Sequence, residues 1–138
     1  MSTSTVLLVL GIVVLLAWGL KFGGQLPNVY QARSCQGRGW RKAFPVASKQ
    51  EIREFLSFFI EAFAYDDKEK LKLAPTDEIL KIYRAQYPSR MQPDAMELET
   101  LARDLERKHG LKLEALWKDN LTLAELFSKT LEHRAAAK

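Results

Sequence analysis

The start of one predicted helix carries the residues with the clearest potential for chemistry. Asp94 and Glu97 stand three residues apart ahead of an apolar-periodic stretch. This spacing is that of a capping box, in which the first residue caps the helix and the second reaches back to it. The helix start also offers unpaired backbone N–H groups and a positive dipole end. Between the two acids lie Ala95, which has only a methyl group, and Met96.

No other part of the sequence provides a recognisable catalytic or metal-binding pattern. His109 and His133 are the only histidines, and neither has metal-ligand spacing with nearby Cys or acidic residues. Cys35 is the single cysteine, so no disulfide can form within the chain, and an idle thiol is favoured over a palmitoylation site. A glycine-rich phosphate loop is also missing from the sequence. We therefore predict no catalytic residue, no metal site and no enzymatic activity.

The elements that would position Asp94 and Glu97 are helices. Beyond residue 47 the apolar residues recur at helical spacing, and no useful strand-like alternation is found. Gly110 is a natural terminator for the helix that Asp94 begins. The predicted N-caps are Ser48, Thr76, Asp94 and Thr122. The pattern predicts an all-α bundle over residues 48–134.

Residues 94–113, DAMELETLARDLERKHGLKL, resemble the central helix of acyl carrier proteins and the turn after it. Asp94 and Met96 match the first and last residues of the Asp-Ser-Leu motif of that family, and Glu97 matches the acid that follows. Residues 121–133, LTLAELFSKTLEH, resemble the last helix of the family. The resemblance implies an acyl-carrier-like bundle, although the loop before the central helix is longer here than usual.

The departure from the family lies at Ala95. Acyl carrier proteins attach 4′-phosphopantetheine through the Ser of the motif, and alanine has no oxygen to accept it. Two explanations remain open: a carrier shape without the carrier reaction, or an Ala that replaces a native Ser to give homogeneous apo-protein. We therefore expect no cofactor as written, and 4′-phosphopantetheine only if position 95 is Ser in the native protein.

In the family this helix meets partner enzymes, so the resemblance implies that Asp94, Met96 and Glu97 bind a partner. The expected partners are a membrane enzyme complex or an acyltransferase-type protein, together with the lipid bilayer. Nucleic acid is not expected, since the net charge of +4 comes from the N-terminal third and the rest has no basic excess.

The N-terminus predicts a membrane anchor over residues 1–21. The run carries no charge before Lys21 and could span about 30 Å as a helix. A cleaved signal peptide fits less well, because Met1 to Thr5 contain no Lys or Arg.

Residues 22–47 predict a basic juxtamembrane linker, rich in Gly and Pro, in which only a short aromatic-basic segment docks locally. Basic residues flank membrane spans on the cytoplasmic side. We therefore expect a single-pass inner-membrane protein with its N-terminus outside and its C-terminal domain in the cytoplasm. The residues expected at the membrane surface are Lys21, Arg33, Arg38, Arg41 and Lys42.

Two functions follow. The first is a membrane-anchored, acyl-carrier-like interaction module that binds or positions a membrane enzyme complex. The alternative is a genuine acyl carrier protein that delivers acyl groups to membrane-bound synthesis machinery, with its attachment Ser replaced by Ala95.

Overall fold

The computed structural model describes residues 2–22, 26–86 and 96–136, without the side chains of residues 17–22. These parts of the chain are helical, and they contain no strand beyond one isolated pairing described below. A 3₁₀ helix, Asp67–Lys72, lies between the fourth and fifth α-helices. The α-helices are α1 Thr3–Phe22, α2 Asn28–Gln31, α3 Gly37–Ala43, α4 Lys49–Ala62, α5 Ile79–Gln86, α6 Met96–His109, α7 Leu113–Leu116 and α8 Leu123–Ala136.

The predicted transmembrane anchor is contradicted. Within the described residues, no helix combines the length and the apolar character that crossing a membrane requires. Helix α1 begins with the polar residues Thr3 to Thr5 and carries Lys21 in its last turn. Its apolar part therefore runs from Val6 to Leu20, or about 22 Å at 1.5 Å per residue, short of a hydrocarbon core of about 30 Å.

The same finding overturns the predicted single-pass location in the inner membrane, with the N-terminus outside and the C-terminal domain in the cytoplasm. The large apolar side chains of α1 from Val6 to Leu16 are 43% to 70% exposed.

Helix α4 forms the centre of the bundle. Its predicted N-cap, Ser48, is confirmed and forms a capping box: Ser48 Oγ accepts a hydrogen bond from the Glu51 N–H (3.1 Å), and Glu51 Oε1 accepts one from the Ser48 N–H (3.2 Å). The apolar face behind this cap enters one continuous core. The core residues of α4 are Ile52, Phe55, Leu56, Phe58, Phe59, Ile60 and Ala62.

The segment assigned to the linker supplies part of this core. Trp40 on α3 is fully buried, and its indole Nε1–H donates a hydrogen bond to the Leu73 carbonyl (2.7 Å). Its ring also meets Phe127 of α8 edge-on, with a centroid distance of 5.9 Å. Leu26 and Tyr30 are buried in the same cluster. Residues 26–44 therefore pack as part of the bundle.

An ion pair attaches this segment at a second point. Arg33 Nη1 lies 2.9 and 2.7 Å from the two carboxylate oxygens of Asp77, whose side chain is 7% exposed. Asp77 Oδ2 also accepts a hydrogen bond from the Ala74 N–H (2.7 Å). The Arg33 guanidinium lies over the Tyr30 ring at 4.8 Å from its centroid. Each charged group of the pair therefore has additional favourable contacts.

Helix α5 begins three residues after the predicted cap, Thr76. The backbone before it pairs instead with the start of α8: Glu78 faces Thr122 in an isolated antiparallel bridge. The Ile79 N–H donates to the Leu121 carbonyl, and the Leu123 N–H donates to the Asp77 carbonyl, both at 3.0 Å. The predicted cap of α8 is confirmed, because Thr122 Oγ1 accepts from the Glu125 N–H (3.2 Å).

Helix α6 carries the predicted site at its start. It begins at Met96, while Asp94 and Ala95 lie outside the described residues. Leu101 and Leu105 are its fully buried residues. The predicted terminator is confirmed: Gly110 has φ +65°, and its N–H donates to the Glu106 carbonyl (2.9 Å).

Replacing Arg33 by Met should lower the free energy of unfolding by about 2–4 kcal/mol, because the carboxylate of Asp77 would stay buried without its cation. Urea denaturation measures this change. Lys42→Met is the matched control, since Lys42 is exposed on α3 and should change stability by less than about 0.5 kcal/mol. Equal effects of the two substitutions would contradict a structural role for the ion pair.

Candidate interaction surface

Met96 is the most exposed large apolar residue in α6, with 60% of its surface accessible. The neighbouring Glu97 is half-buried. Thr100 Oγ1 donates a hydrogen bond to the Met96 carbonyl (2.7 Å). The Met96 carbonyl lies in the first turn of α6, so this bond fixes the backbone that carries the Met96 side chain. The structure thus leaves Met96 outside the core at the helix start.

A small groove of 130 Å³ lies between α6 and α7. Leu98 and Ala102 line it from α6, and Leu113 lines it from α7. Trp117, directly after α7, contributes the largest side chain, and Glu114 is the one charged residue that the described part of the chain places in the lining. The groove therefore offers an apolar surface at the same helix that presents Met96.

The α7 side of this groove was not predicted, because the sequence indicated no helix between the terminator Gly110 and the N-cap Thr122. A signal was present in the sequence: Leu113, Leu116 and Trp117 follow at helical spacing. A helix of one turn gives too short a pattern to separate from a loop. The apolar residues at its two ends can be recognised as buried or half-buried only once the structure shows α6 beside them.

The charges near this surface are mixed. Glu99 and Glu114 are exposed, and neither forms an ion pair with the described residues. Arg103, one turn beyond Glu99, is exposed as well. Asp104 instead pairs with Arg107 at 3.0 Å. Two acids are therefore available to a positively charged partner, with one cation beside them.

A larger groove of 680 Å³ runs along α4, between the end of α6 and the body of α8. Its floor contains Phe55, Phe58 and Phe127, while its rim carries charges of both signs. Phe55 and Phe58 are at most 5% exposed, so these phenylalanines of α4 belong to the core. Ser57 in this groove accepts from Lys70 and donates to Asp67 (2.7 Å), so its hydroxyl serves a surface network.

His109 closes one end of the larger groove. Its ring meets Phe58 edge-on, with centroids 5.2 Å apart and an interplanar angle of 88°. Burial lowers the pKa of His109 below its usual value, and the positive charges of Arg134 and Lys108 lower it further. The neutral imidazole is therefore the form that the fold favours.

The predicted membrane-surface cations occupy different environments. Arg33 belongs to the ion pair with Asp77. Arg38, Arg41 and Lys42 are exposed on α3. The Lys21 side chain lies outside the described residues. With no membrane-crossing helix among the described residues, the flank loses its assignment as a topology signal.

In the described ranges, no group of three or more His, Cys, Asp and Glu side chains is placed to hold a metal ion. Comparisons of the chain with protein-family models, curated proteins and solved structures gave no match. The likeness to acyl carrier proteins therefore stays a prediction from residues 94–133.

The lowered pKa of His109 predicts a pH dependence of stability. Below about pH 6.5 the unfolded chain binds a proton at this residue more readily than the folded chain does. The free energy of unfolding should therefore be highest above about pH 6.5. It should fall as the pH drops toward the pKa that His109 has in the folded chain. Urea denaturation at pH 8 and pH 5.5 measures the difference.

His109→Gln should reduce that difference, whereas His133→Gln, at an exposed histidine, should preserve most of it. An unchanged pH dependence in His109→Gln would show that His109 is not the responsible group.

Proposed function

We propose that this chain is an acyl-carrier-like helical module that binds a partner protein through the start of α6 and, as written, carries no phosphopantetheine. The observation that carries the proposal is the 60% exposure of Met96 at the start of α6, the helix that also lines the apolar groove through Leu98 and Ala102. An exposed, flexible thioether adapts to a contacting side chain at low cost. Membrane anchoring forms no part of the proposal.

The chemistry of this surface defines the partner. The groove of 130 Å³ is large enough for one apolar side chain, not for a long ligand. The exposed acids Glu99 and Glu114 favour basic residues beside that side chain, because complementary charges speed encounter and fix orientation. We therefore propose a protein segment with an apolar anchor flanked by Lys or Arg. The resemblance suggests an acyltransferase-type enzyme as its source.

The side chains at the start of α6 have the chemistry of a protein-binding surface and not that of a catalytic site. Met96 has no acid, base or nucleophile in its side chain, and the Thr100 hydroxyl is engaged with the Met96 carbonyl. The side chains that line the groove between α6 and α7 are mostly hydrocarbon. Such a surface excludes water and buries apolar area, which is what a modest protein contact requires.

Met96→Glu should weaken partner binding at least tenfold, because a charge would replace the apolar contact, while helicity and melting temperature stay nearly unchanged. The partner is first identified through a photo-crosslinking amino acid placed at position 96 in cells. The affinity of the purified partner is then measured for each variant.

The matched control is Val46→Glu, which makes the same change at an apolar residue that is 98% exposed. It should bind like the parent chain. The proposal fails if crosslinks form equally from positions 46 and 96, or if Met96→Glu keeps the parental affinity. Unfolding of Met96→Glu would place Met96 in the core and would also contradict the proposal.

The alternative of a working carrier depends on Ala95. Co-expression with a broad-specificity phosphopantetheinyl transferase should leave the intact mass of this chain unchanged, since alanine has no hydroxyl group. The Ala95→Ser variant should gain one prosthetic group if the carrier surface is intact. Modification of the chain with Ala95 would show that the attachment residue lies elsewhere.

A further inference from the structure

A basic pocket of 240 Å³ lies between α3 and the first turns of α4, and it shares no residue with the surface around Met96. Arg38 and Arg41 enter it from α3, and Lys49 and Arg53 enter it from α4. Its other lining residues are Cys35, Gly37, Ile52 and Leu71. Four side-chain cations thus converge on a concave surface.

These cations have no counter-charge among the described residues. None of the four takes part in the ion pairs of the structure. The nearest acids along α4 are engaged in other contacts: Glu51 caps its own helix and pairs with Arg134 (3.6 Å), and Glu54 accepts from Gln50 (2.9 Å). The four cations are therefore available to a bound anion.

The two walls of the pocket are held in fixed relation by buried contacts. Trp40, on the same helix as Arg38 and Arg41, is locked by its hydrogen bond to Leu73. The Gln36 N–H, just before α3, donates to the Leu71 carbonyl (2.7 Å). On the α4 side, Ile52 is 4% exposed and anchors the turn that carries Lys49 and Arg53. The backbone that carries the four cations is therefore ordered.

We propose that this pocket binds a phosphate group. Arginine offers a planar fork of N–H donors that matches phosphate oxygens, and three of the four cations are arginines. A volume of 240 Å³ lies below that of pockets for drug-sized ligands, so the pocket holds a phosphate or diphosphate with at most a short substituent. Ile52 and Leu71 supply an apolar floor for that substituent.

Cys35 gives a local readout of occupancy. It is the only cysteine of the chain, it is exposed, and it lines this pocket. A bound phosphate should shield its thiol from alkylation. The experiment measures the rate at which neutral iodoacetamide alkylates the full chain, at low ionic strength, over a series of pyrophosphate concentrations. Sodium chloride of equal ionic strength corrects for screening.

The expected result is saturable protection by pyrophosphate that sodium chloride does not reproduce. The Arg41→Gln, Arg53→Gln double variant removes one cation from each wall and should raise the half-protection concentration at least tenfold. The control, Lys68→Gln with Arg103→Gln, removes the same charge from two exposed positions outside the pocket and should stay within twofold of the parent. Circular dichroism checks that each variant is folded.

If pyrophosphate protects Cys35 of the parent chain no better than sodium chloride does, the proposal is wrong. Equal weakening in both double variants would also overturn it, because net charge alone would then explain the effect.

Phosphate groups occur on soluble phosphoesters and on phospholipid headgroups, and two further arms separate these sources. Glycerol phosphate tests the first, and phosphatidic acid in phosphatidylcholine vesicles, set against phosphatidylcholine alone, tests the second. If either ligand protects Cys35 in the parent chain and the Arg41→Gln, Arg53→Gln double variant loses that protection, the result supports phosphate binding in this pocket. If the double variant keeps the protection, the result contradicts it.

Discussion

Asp77 is the residue at which three separate parts of the bundle are joined, through its carboxylate and its backbone carbonyl. It accepts hydrogen bonds from Arg33, which follows α2, and from the backbone of Ala74 in its own loop. The carbonyl of the same residue accepts the Leu123 N–H at the start of α8. A buried carboxylate without these partners would cost several kcal/mol. The arrangement of α2, α5 and α8 therefore depends on Asp77 being fully paired.

This constraint positions the surfaces to which we assign function. Arg33 and Trp40 hold the chain before α4 against the bundle, so α3 presents its cations beside α4. On another part of the molecule, the burial of Leu101 and Leu105 fixes the register of α6 and leaves Met96 exposed at its start. In both places, buried residues determine which exposed side chains are available for binding.

Features that depend on neighbours in the sequence were predictable. The capping box of Ser48 and Glu51, the cap at Thr122 and the terminator Gly110 each involve residues within a few positions of one another. The apolar periodicity of α4 likewise identified core residues correctly, because it reports directly on which face is buried.

Features that depend on distant partners were not predictable. Trp40 lies in a segment of Gly, Pro and basic residues, and only its partner Leu73 reveals it as a core residue. The late start of α5 follows from pairing with Thr122, more than forty residues away. The membrane prediction failed for a different reason: the predicted span of residues 1–21 included the polar ends of α1, and the apolar part between them is shorter.

The central claim is that residues 26–44 form an integral part of the bundle and do not act as a linker. Hydrogen exchange of the Trp40 indole N–H, followed by NMR, tests it most directly, because that group is fully buried and bonded to Leu73. Its exchange should require global unfolding, with a free energy equal to that from urea denaturation. The half-buried Trp117 provides an internal reference that should exchange much faster. Exchange of Trp40 as fast as that of Trp117 would contradict the account.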